Sequence, residues 1–296
     1  MVYFLSDIHL GSKALPDAQA HQERIVTLLE TLSKDATATY LMGDVFDFWF
    51  EYFWPTRSKQ HRFGVFLDEL RSLTDRGIEV HFFIGNHDLW TFGQLAQMTG
   101  AIIHKKPLLF SLDGQHLKDA KGAQIDLRKN SSVPAAGSVG VGATQGASVF
   151  EEVLSERTSK KTVHIFLAHG DEYCWDNHYQ WLRRFFHSRV AQFLFRLLPP
   201  CLGDWLGFSW AAKSRRREMI EPMEYKGEAN EPLVQFAKKY SETHKVDYFI
   251  FGHRHIELDL QINAHTRVII LGDLFRQGTY AALDDNGQLT LLTYDL

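Results

Sequence analysis

Seven side chains of metal-binding type fall in five short blocks of the chain: Asp7 and His9, Asp44, Asn86, His169, and His253 with His255. Each block has the same local grammar. An apolar, β-branched or aromatic run (Val2 to Leu5, Thr39 to Met42, Val80 to Ile84, Val163 to Leu167, Tyr248 to Phe251) feeds into one small residue and then the polar one. That pattern predicts strands ending at a shared edge, so that distant segments build one site. Three carboxylate or amide oxygens and four imidazoles exceed the roughly three protein ligands of a catalytic zinc. Two divalent cations sharing one carboxylate would use them all.

The blocks differ in how much each says alone. In Asp7-Ile8-His9 the period of two along an extended backbone puts carboxylate and imidazole on one side, where they can grip one ion. A surface Asp with a capping His is an equal reading of that triplet. After Gly43, where the backbone can turn sharply, Asp44 is placed either to bridge two cations or to sit as a solvated turn residue. Gly85-Asn86-His87-Asp88 is more specific: Asn86 offers an oxygen, and Asp88 stands next to His87, where it can fix the imidazole tautomer or raise its basicity. A structural turn accounts for the Gly and Asn but not for His-Asp. His169-Gly170-Asp171 and Gly252-His253-Arg254-His255 each follow apolar runs. A lone His there reads as a satisfied turn residue, whereas two at i and i+2 after a glycine are harder to explain that way. The five blocks in order carry the inference.

The elements that must position these residues alternate. Strands are predicted at 2–6, 38–43 and 79–84, with helices near 17–34 and 59–76, which gives βαβ units and a largely parallel sheet. After Asp247 come closely spaced strands near 247–251, 257–263, 267–271, 278–283 and 288–293, with Asp285-Asn286-Gly287 as a hairpin turn. This end reads as an antiparallel sheet. The fold class is α/β, two packed sheets flanked by helices in a single domain over 1–296. Residues 113–161, rich in Gly, Ser, Ala, Lys and Gln, read as a long flexible excursion, either an irregular loop or an active-site lid. Residues 178–225 read as an inserted helical cap. Trp181, Phe185, Phe186, Phe193 and Leu197 recur there at helical spacing between Arg183, Arg184, Arg189 and Arg196, Pro199-Pro200 stops the helix, and Lys213, Arg215, Arg216 and Arg217 follow.

The ordered set DIH, GD, GNHD, HG and GHRH, from residue 7 to 255, resembles the calcineurin-like metallophosphoesterase superfamily. The resemblance implies that family's sandwich of two mixed sheets between helices. It also implies that Asp7, His9, Asp44 and His255 hold one metal, that Asp44, Asn86, His169 and His253 hold the other, and that Asp44 bridges. His87 matches the family's phosphate-contacting histidine, which protonates or stabilises the leaving oxygen, with Asp88 behind it as the second catalytic residue. Two cations ~3.5–4 Å apart can lower the pKa of a bridging water, clamp phosphoryl oxygens and stabilise an in-line displacement by the resulting hydroxide. Mixed oxygen and imidazole donors suit Mn(II), Fe(II) or Zn(II). The resemblance favours manganese.

A second resemblance narrows the substrate. His169-Gly170-Asp171-Glu172-Tyr173-Cys174-Trp175-Asp176-Asn177, then Tyr179-Gln180, a basic aromatic helix and a Leu-Leu-Pro segment, is similar to the UDP-2,3-diacylglucosamine diphosphatases of lipid A synthesis, as are Leu271-Gly272-Asp273 and Gly278-Thr279-Tyr280. Such enzymes release UMP and an acylated sugar 1-phosphate. In this chain, His87 departs from that family's pattern, whose best-known members carry Arg there. The resemblance implies an acylated nucleotide-sugar partner, with substrate contacts at Asn86, His87 and Asn177. An apolar cap face gains ~0.8 kcal/mol per buried CH₂ of an acyl chain, which makes Phe186 and Phe193 candidates, and the flanking Lys213, Arg216 and Arg217 are candidates for the pyrophosphate. Packing on the core is the rival role for both phenylalanines.

Bulk composition sets the remaining bounds. A net charge of −4 gives no support to a nucleic-acid partner, and no apolar run reaches the ~20 residues of a membrane span. Met1 leads straight into the first apolar run without a secretion signal, so the expectation is a cytoplasmic chain, peripheral on the inner face of the cell membrane. Cys174 and Cys201 are too few for a disulfide framework, and no obligate protein partner is evident. The rival readings are a metallophosphoesterase for another substrate (phosphoprotein, cyclic nucleotide or nucleic acid) and a non-catalytic scaffold.

Overall fold

In the computed structural model, residues 1–53, 58–113, 116–119, 162–174, 181, 184–220 and 224–295 are described. The first strands are β1 (Val2–Leu5), β2 (Ala38–Leu41), β3 (Glu79–Phe83) and β4 (Ile102–His104). Between them run α1 (Ala18–Leu32), α2 (Ser58–Asp75) and α3 (Gln94–Thr99). All four strands pair in parallel, as βαβ crossovers require. The chain then passes to a second sheet through β5 (Leu108–Asp113), β6 (His116–Asp119) and β7 (Val163–Ala168). Next come α4 (Arg189–Arg196), α5 (Pro200–Ile220), α6 (Pro232–Ser241), β8 (Tyr248–Phe251), β9 (Glu257–Gln261) and β10 (Arg267–Leu271). β11 (Thr279–Leu283) and β12 (Leu289–Thr293) close the chain. The sheets run β12-β11-β1-β2-β3-β4 and β6-β5-β7-β8-β10-β9.

Side-chain alternation assembles these sheets into layers. In β7, Ile165 and Leu167 join Phe4, Tyr40, Ile250 and Ile269 between the sheets, while Phe166 and Ala168 point the other way, onto Leu233, Val234 and Ala237 of α6. In β1, Phe4 faces the second sheet, and Tyr3 and Leu5 face the layer that contains Ile25, Leu29, Phe66 and Leu70 of α1 and α2. The result is the expected sandwich of two mixed sheets between helices. Burying each of these large apolar side chains stabilises by about 1.5–3 kcal/mol, which holds the strand ends in place.

Two expectations differ from what is observed. The late strands do not form one antiparallel sheet: β8 pairs in parallel with both β7 and β10, and β11 and β12 leave to join β1. β8 and β10 are apolar on both faces, as strands buried on both sides must be, and only the edge strand β9 alternates exposed and half-buried positions. The stretch 113–161, read as an excursion, begins as part of a hairpin, because β6 pairs antiparallel with β5. Residues 120–161 lie outside the described residues.

Under the first sheet, His81 Nδ1 and His104 Nε2 lie 2.9 Å apart, a hydrogen bond that needs one ring neutral. Burial, and then the neighbouring His81, push His104 down to about 3 from an ordinary 6.5. Since the folded value is depressed, the unfolded chain takes up this proton first, so the stability it represents is present above about pH 6.5 and is lost as pH falls toward about 3. Thermal melts from pH 7 to 4.5 are expected to show Tm falling, with a shallower fall in His104→Gln; identical slopes would contradict the assignment.

Candidate metal centre

Three of the five strand ends deliver their polar residues through an unusual backbone conformation. Asp7, His9, Asp44, His253 and His255 have φ between 47° and 66°, and they are the non-glycine residues with positive φ among the described residues. Left-handed backbone costs an ordinary residue of order 1–3 kcal/mol and persists where surrounding structure imposes it. Here it turns the chain sharply after β1, β2 and β8, so that side chains from three strands face one point. The turns also pack without room to spare. A Cβ on Gly85 would lie 2.2 Å from Asp44 Oδ1, and one on Gly252 would lie 1.9 Å from Ser6 Oγ.

The convergence has two lobes. One donor atom from each of Asp7, His9 and His255 lies within 4.8 Å of the others, and the same holds for Asp44, His169 and His253 and for His9, Asp44 and His87. Asn86 Oδ1 adds to the second lobe at 3.3 Å from His169 Nε2. All seven sequence-selected donors are therefore brought together, with Asp44 sharing neighbours on both sides.

Supporting groups orient these donors. Nδ1 of His169 is 2.9 Å from the Met42 carbonyl, and Nδ1 of His255 is 3.0 Å from Asp273 Oδ2, which turns each Nε2 inward as an acceptor. Ser6 Oγ–H (2.6 Å) and the His253 backbone N–H (2.9 Å) donate to Asp7 Oδ2. The His87 N–H donates to Asp44 Oδ1 at 2.9 Å. Asp7 Oδ1 and both ring nitrogens of His9 are buried without a hydrogen-bond partner. Buried polar atoms are rarely left so. Unpartnered inward-facing O and N donors beside oriented imidazoles fit divalent cations.

The electrostatics of the pocket agree. Burial raises the Asp7 carboxyl, against the pull of His255 and His169. Burial works the same way on Asp44, but His169 and then His87 hold it well below the usual carboxylate range. In return, and against its own burial, His169 is held well above the ordinary imidazole value by Asp44. His9 is pushed well below that value by burial and then by Arg215, and His253 falls to about 3 through burial and then His169. The Asp44 and His169 pair thus keeps a proton where cation donors converge, and proton and cation compete for the same nitrogen.

His87 takes a different support from the expected one. Its Nδ1 lies 2.7 Å from the Asp47 carbonyl oxygen. Asp88 instead accepts from the backbone N–H groups of Gly85 (2.7 Å) and Val45 (2.8 Å), tying the turn after β3 to the turn after β2. It is buried, and burial followed by the Asp44 charge pushes it up to about 7.

Three residues at the site had not been selected from the sequence. Asp273 orients His255, and Asp47 lies 3.6 Å from both His9 Nδ1 and Arg215 Nε. Arg215 is 2% exposed and places Nη1 and Nη2 each 3.1 Å from an imidazole Nε2, that of His255 and that of His87. A signal for Arg215 was present. Gly203, Gly207, Ala211 and Arg215 recur every four residues on one buried face of α5. At Gly203 and Gly207 a Cβ would lie 2.3 Å from Tyr52 Oη and from Phe48 Cζ. That close docking aims the next turns of the helix at the metal pocket.

The other cap residues are placed as follows. Lys213 and Arg216 are exposed, the Arg217 side chain and Asn177 lie outside the described residues, and the cap helix is interrupted at Ser188. Phe186 is half-buried and meets Trp90 edge-on at a centroid distance of 5.4 Å, while Phe193 is 53% exposed. The two phenylalanines therefore do different things.

Comparison with known proteins gives a consistent picture. Residues 1–257 match the calcineurin-like phosphoesterase family. A UDP-2,3-diacylglucosamine hydrolase of Porphyromonas gingivalis is 31% identical, over 96% of this chain and 94% of its own length. Proteins of the same description from Actinobacillus succinogenes and Haemophilus influenzae are each 26% identical, over 92% and 97% of this chain and 90% and 96% of theirs. A solved dimetal phosphatase from Danio rerio is a distant likeness, 12% identical with a TM-score of 0.42, covering 99% of this chain and 98% of its own.

The packing of Gly85 on Asp44 makes a direct prediction. Gly85→Ala is expected to weaken Mn(II) binding, measured by titration calorimetry, by on the order of tenfold or more, as losses of groups that orient metal ligands do. The far-ultraviolet circular dichroism should stay unchanged. Wild-type affinity in that variant would contradict the geometry.

Proposed function

The chain belongs to the calcineurin-like phosphoesterase family, and we propose that it hydrolyses the pyrophosphate of UDP-2,3-diacylglucosamine to UMP and 2,3-diacylglucosamine 1-phosphate. One observation carries the choice of substrate: α5 turns Arg215 inward to the metal pocket while the same cap exposes Trp205 (61%) and Trp210 (55%) to solvent. A phosphate-binding pocket that adjoins exposed aromatic surface suits a substrate with a charged centre and hydrocarbon arms. The full-length likeness to relatives of that description supports the same reading.

In this proposal Asp7, His9, Asp44 and His255 hold one cation, and Asp44, Asn86, His169 and His253 hold a second, both taken as Mn(II). When bound, such a pair polarises phosphoryl oxygens and acidifies water at neutral pH. The protein's own groups do the rest. Hydrogen bonding of Nδ1–H to the Asp47 carbonyl leaves His87 Nε2 facing the pocket; as the imidazolium it can donate to a phosphoryl oxygen and pass that proton to the leaving oxygen, ending as the neutral ring. Arg215 holds a permanent charge 3.1 Å from that nitrogen, and its planar fork suits phosphate oxygens. In this reading Arg215 supplies a fixed cation beside His87. Asp88 acts through the backbone, holding the two turns together.

The cap has two parts in the proposal. Phe186 docks it, stacking edge-on against Trp90 and Trp210, and Trp90 Nε1–H donates to the Phe186 carbonyl at 2.9 Å. Phe193, with Leu194 (58% exposed), Leu197 and Trp205, faces outward and receives acyl chains. The exposed Arg184 and Arg189 nearby meet anionic headgroups. Among the described residues no helix is long and apolar enough to cross a membrane. From the exposed aromatic and basic face of the cap we propose peripheral association with the inner face of the cell membrane, and a cytoplasmic location.

The test is an assay of purified protein with Mn(II) and UDP-2,3-diacylglucosamine, run in parallel with nucleic acid and phosphopeptide. UMP release is expected from the first alone, with His9→Ala lowering turnover at least a hundredfold; near-normal turnover in that variant would remove the metal assignment. Phe193→Ala is expected to raise KM for the diacylated substrate more than for its deacylated counterpart. Equal changes in both would return Phe193 to a packing role.

A further inference from the structure

The catalytic arrangement leaves one flank of the metal pocket unused. Residues 105–107 carry the chain from β4 in the first sheet to β5 in the second. The registers Phe83↔His104 and Leu108↔Leu167 place this crossing at the end of the sandwich where Gly85 follows β3 and His169 follows β7. A shallow cleft, open to solvent, lies there with Gly85 and His169 in its wall. Lys105 and Lys106 line one part of it, and Asp171 and Glu172, from the turn after His169, line another. His187 of the cap completes the lining.

We propose that this cleft is the nucleotide subsite, taking the nucleoside monophosphate half of the substrate. Its phosphate lies between the His169 wall and the Lys106 ammonium, and its ribose hydroxyls lie against Asp171 and Glu172. The inference rests on the substrate reading above. The two halves of such a substrate differ in chemistry, and so do the two flanks of the metal pocket. Charged walls would penalise a hydrocarbon chain, which must displace their water without replacing the hydrogen bonds, so the acyl half belongs on the aromatic cap. An ammonium group beside the metal-bearing wall forms charge-assisted bonds with phosphate oxygens, and carboxylates accept from a ribose diol. The lysines have separate tasks. Lys105 Nζ–H donates to the Thr91 carbonyl at 2.6 Å and stays with the loop, whereas Lys106 is exposed and has no ion pair among the described residues.

Calorimetric titration of the manganese-loaded protein with UMP, uridine and inorganic phosphate tests the subsite without relying on turnover. The wild type is expected to bind UMP at least tenfold more tightly than either uridine or phosphate. Lys106→Glu, at an exposed position where folding is not at risk, is expected to weaken UMP at least tenfold, and Lys106→Arg to restore most of the binding. Unchanged UMP affinity in Lys106→Glu, or a wild type that binds UMP no better than phosphate, overturns the proposal. Failure of the substrate reading looks different: UDP-2,3-diacylglucosamine would release no UMP from a wild type that still binds UMP in a Lys106-dependent way.

Discussion

The whole arrangement depends on burying carboxylates and imidazoles together at one end of a sheet sandwich. Asp7, Asp44, His9, His169 and His255 are each no more than 3% exposed. Charged groups removed from water are costly unless opposite charge is supplied at close range. In the protein alone the compensation is incomplete: His169, held above its ordinary value by Asp44 at 3.5 Å, serves one lobe, and Asp7 Oδ1 and the His9 ring lack hydrogen-bond partners in the other. Divalent cations would satisfy both lobes at once. The donor set is thus more than a collection of family residues, since its electrostatics require positive charge between the side chains.

Holding such a set in place needs rigid supports, and the fold provides them at several levels. The strands are fixed by apolar layers on both faces, so their ends are fixed too. Left-handed turns then spend backbone conformational energy to aim the side chains, and close contacts at Gly85 and Gly252 keep those turns from relaxing. The cap is coupled to the same place by a different device. Small residues on one face of α5 let it sit directly on Phe48 and Tyr52, which brings Arg215 to His87 and His255. The cap and the metal pocket are therefore parts of one packed unit.

Much of this was legible in the sequence because strand, small residue and polar ligand form a local pattern, repeated five times. The helices over 17–34 and 59–76 and the strand positions follow from periodicity, and the structure places α1, α2 and the strands there. Sheet membership of the late strands was not legible. Short closely spaced strands suggest hairpins, and only the burial of β8 and β10 on both faces marks them as inner strands. Asp273 followed the same apolar-Gly-Asp pattern as Asp44 and could have been chosen on that ground. Within the run from Lys213 to Arg217, charge alone could not rank the residues; the four-residue spacing of Gly203, Gly207 and Ala211 singles out Arg215. The partner of His87 is a backbone carbonyl, which no side-chain pattern announces.

The most direct measurement is anomalous diffraction from crystals grown with manganese. Two peaks ~3.5–4 Å apart are expected, as in two-metal phosphoryl-transfer sites. One should lie against Asp7, His9 and His255, the other against Asn86, His169 and His253, with Asp44 touching both. A single peak, or density that leaves these donors unengaged at excess manganese, would contradict the account.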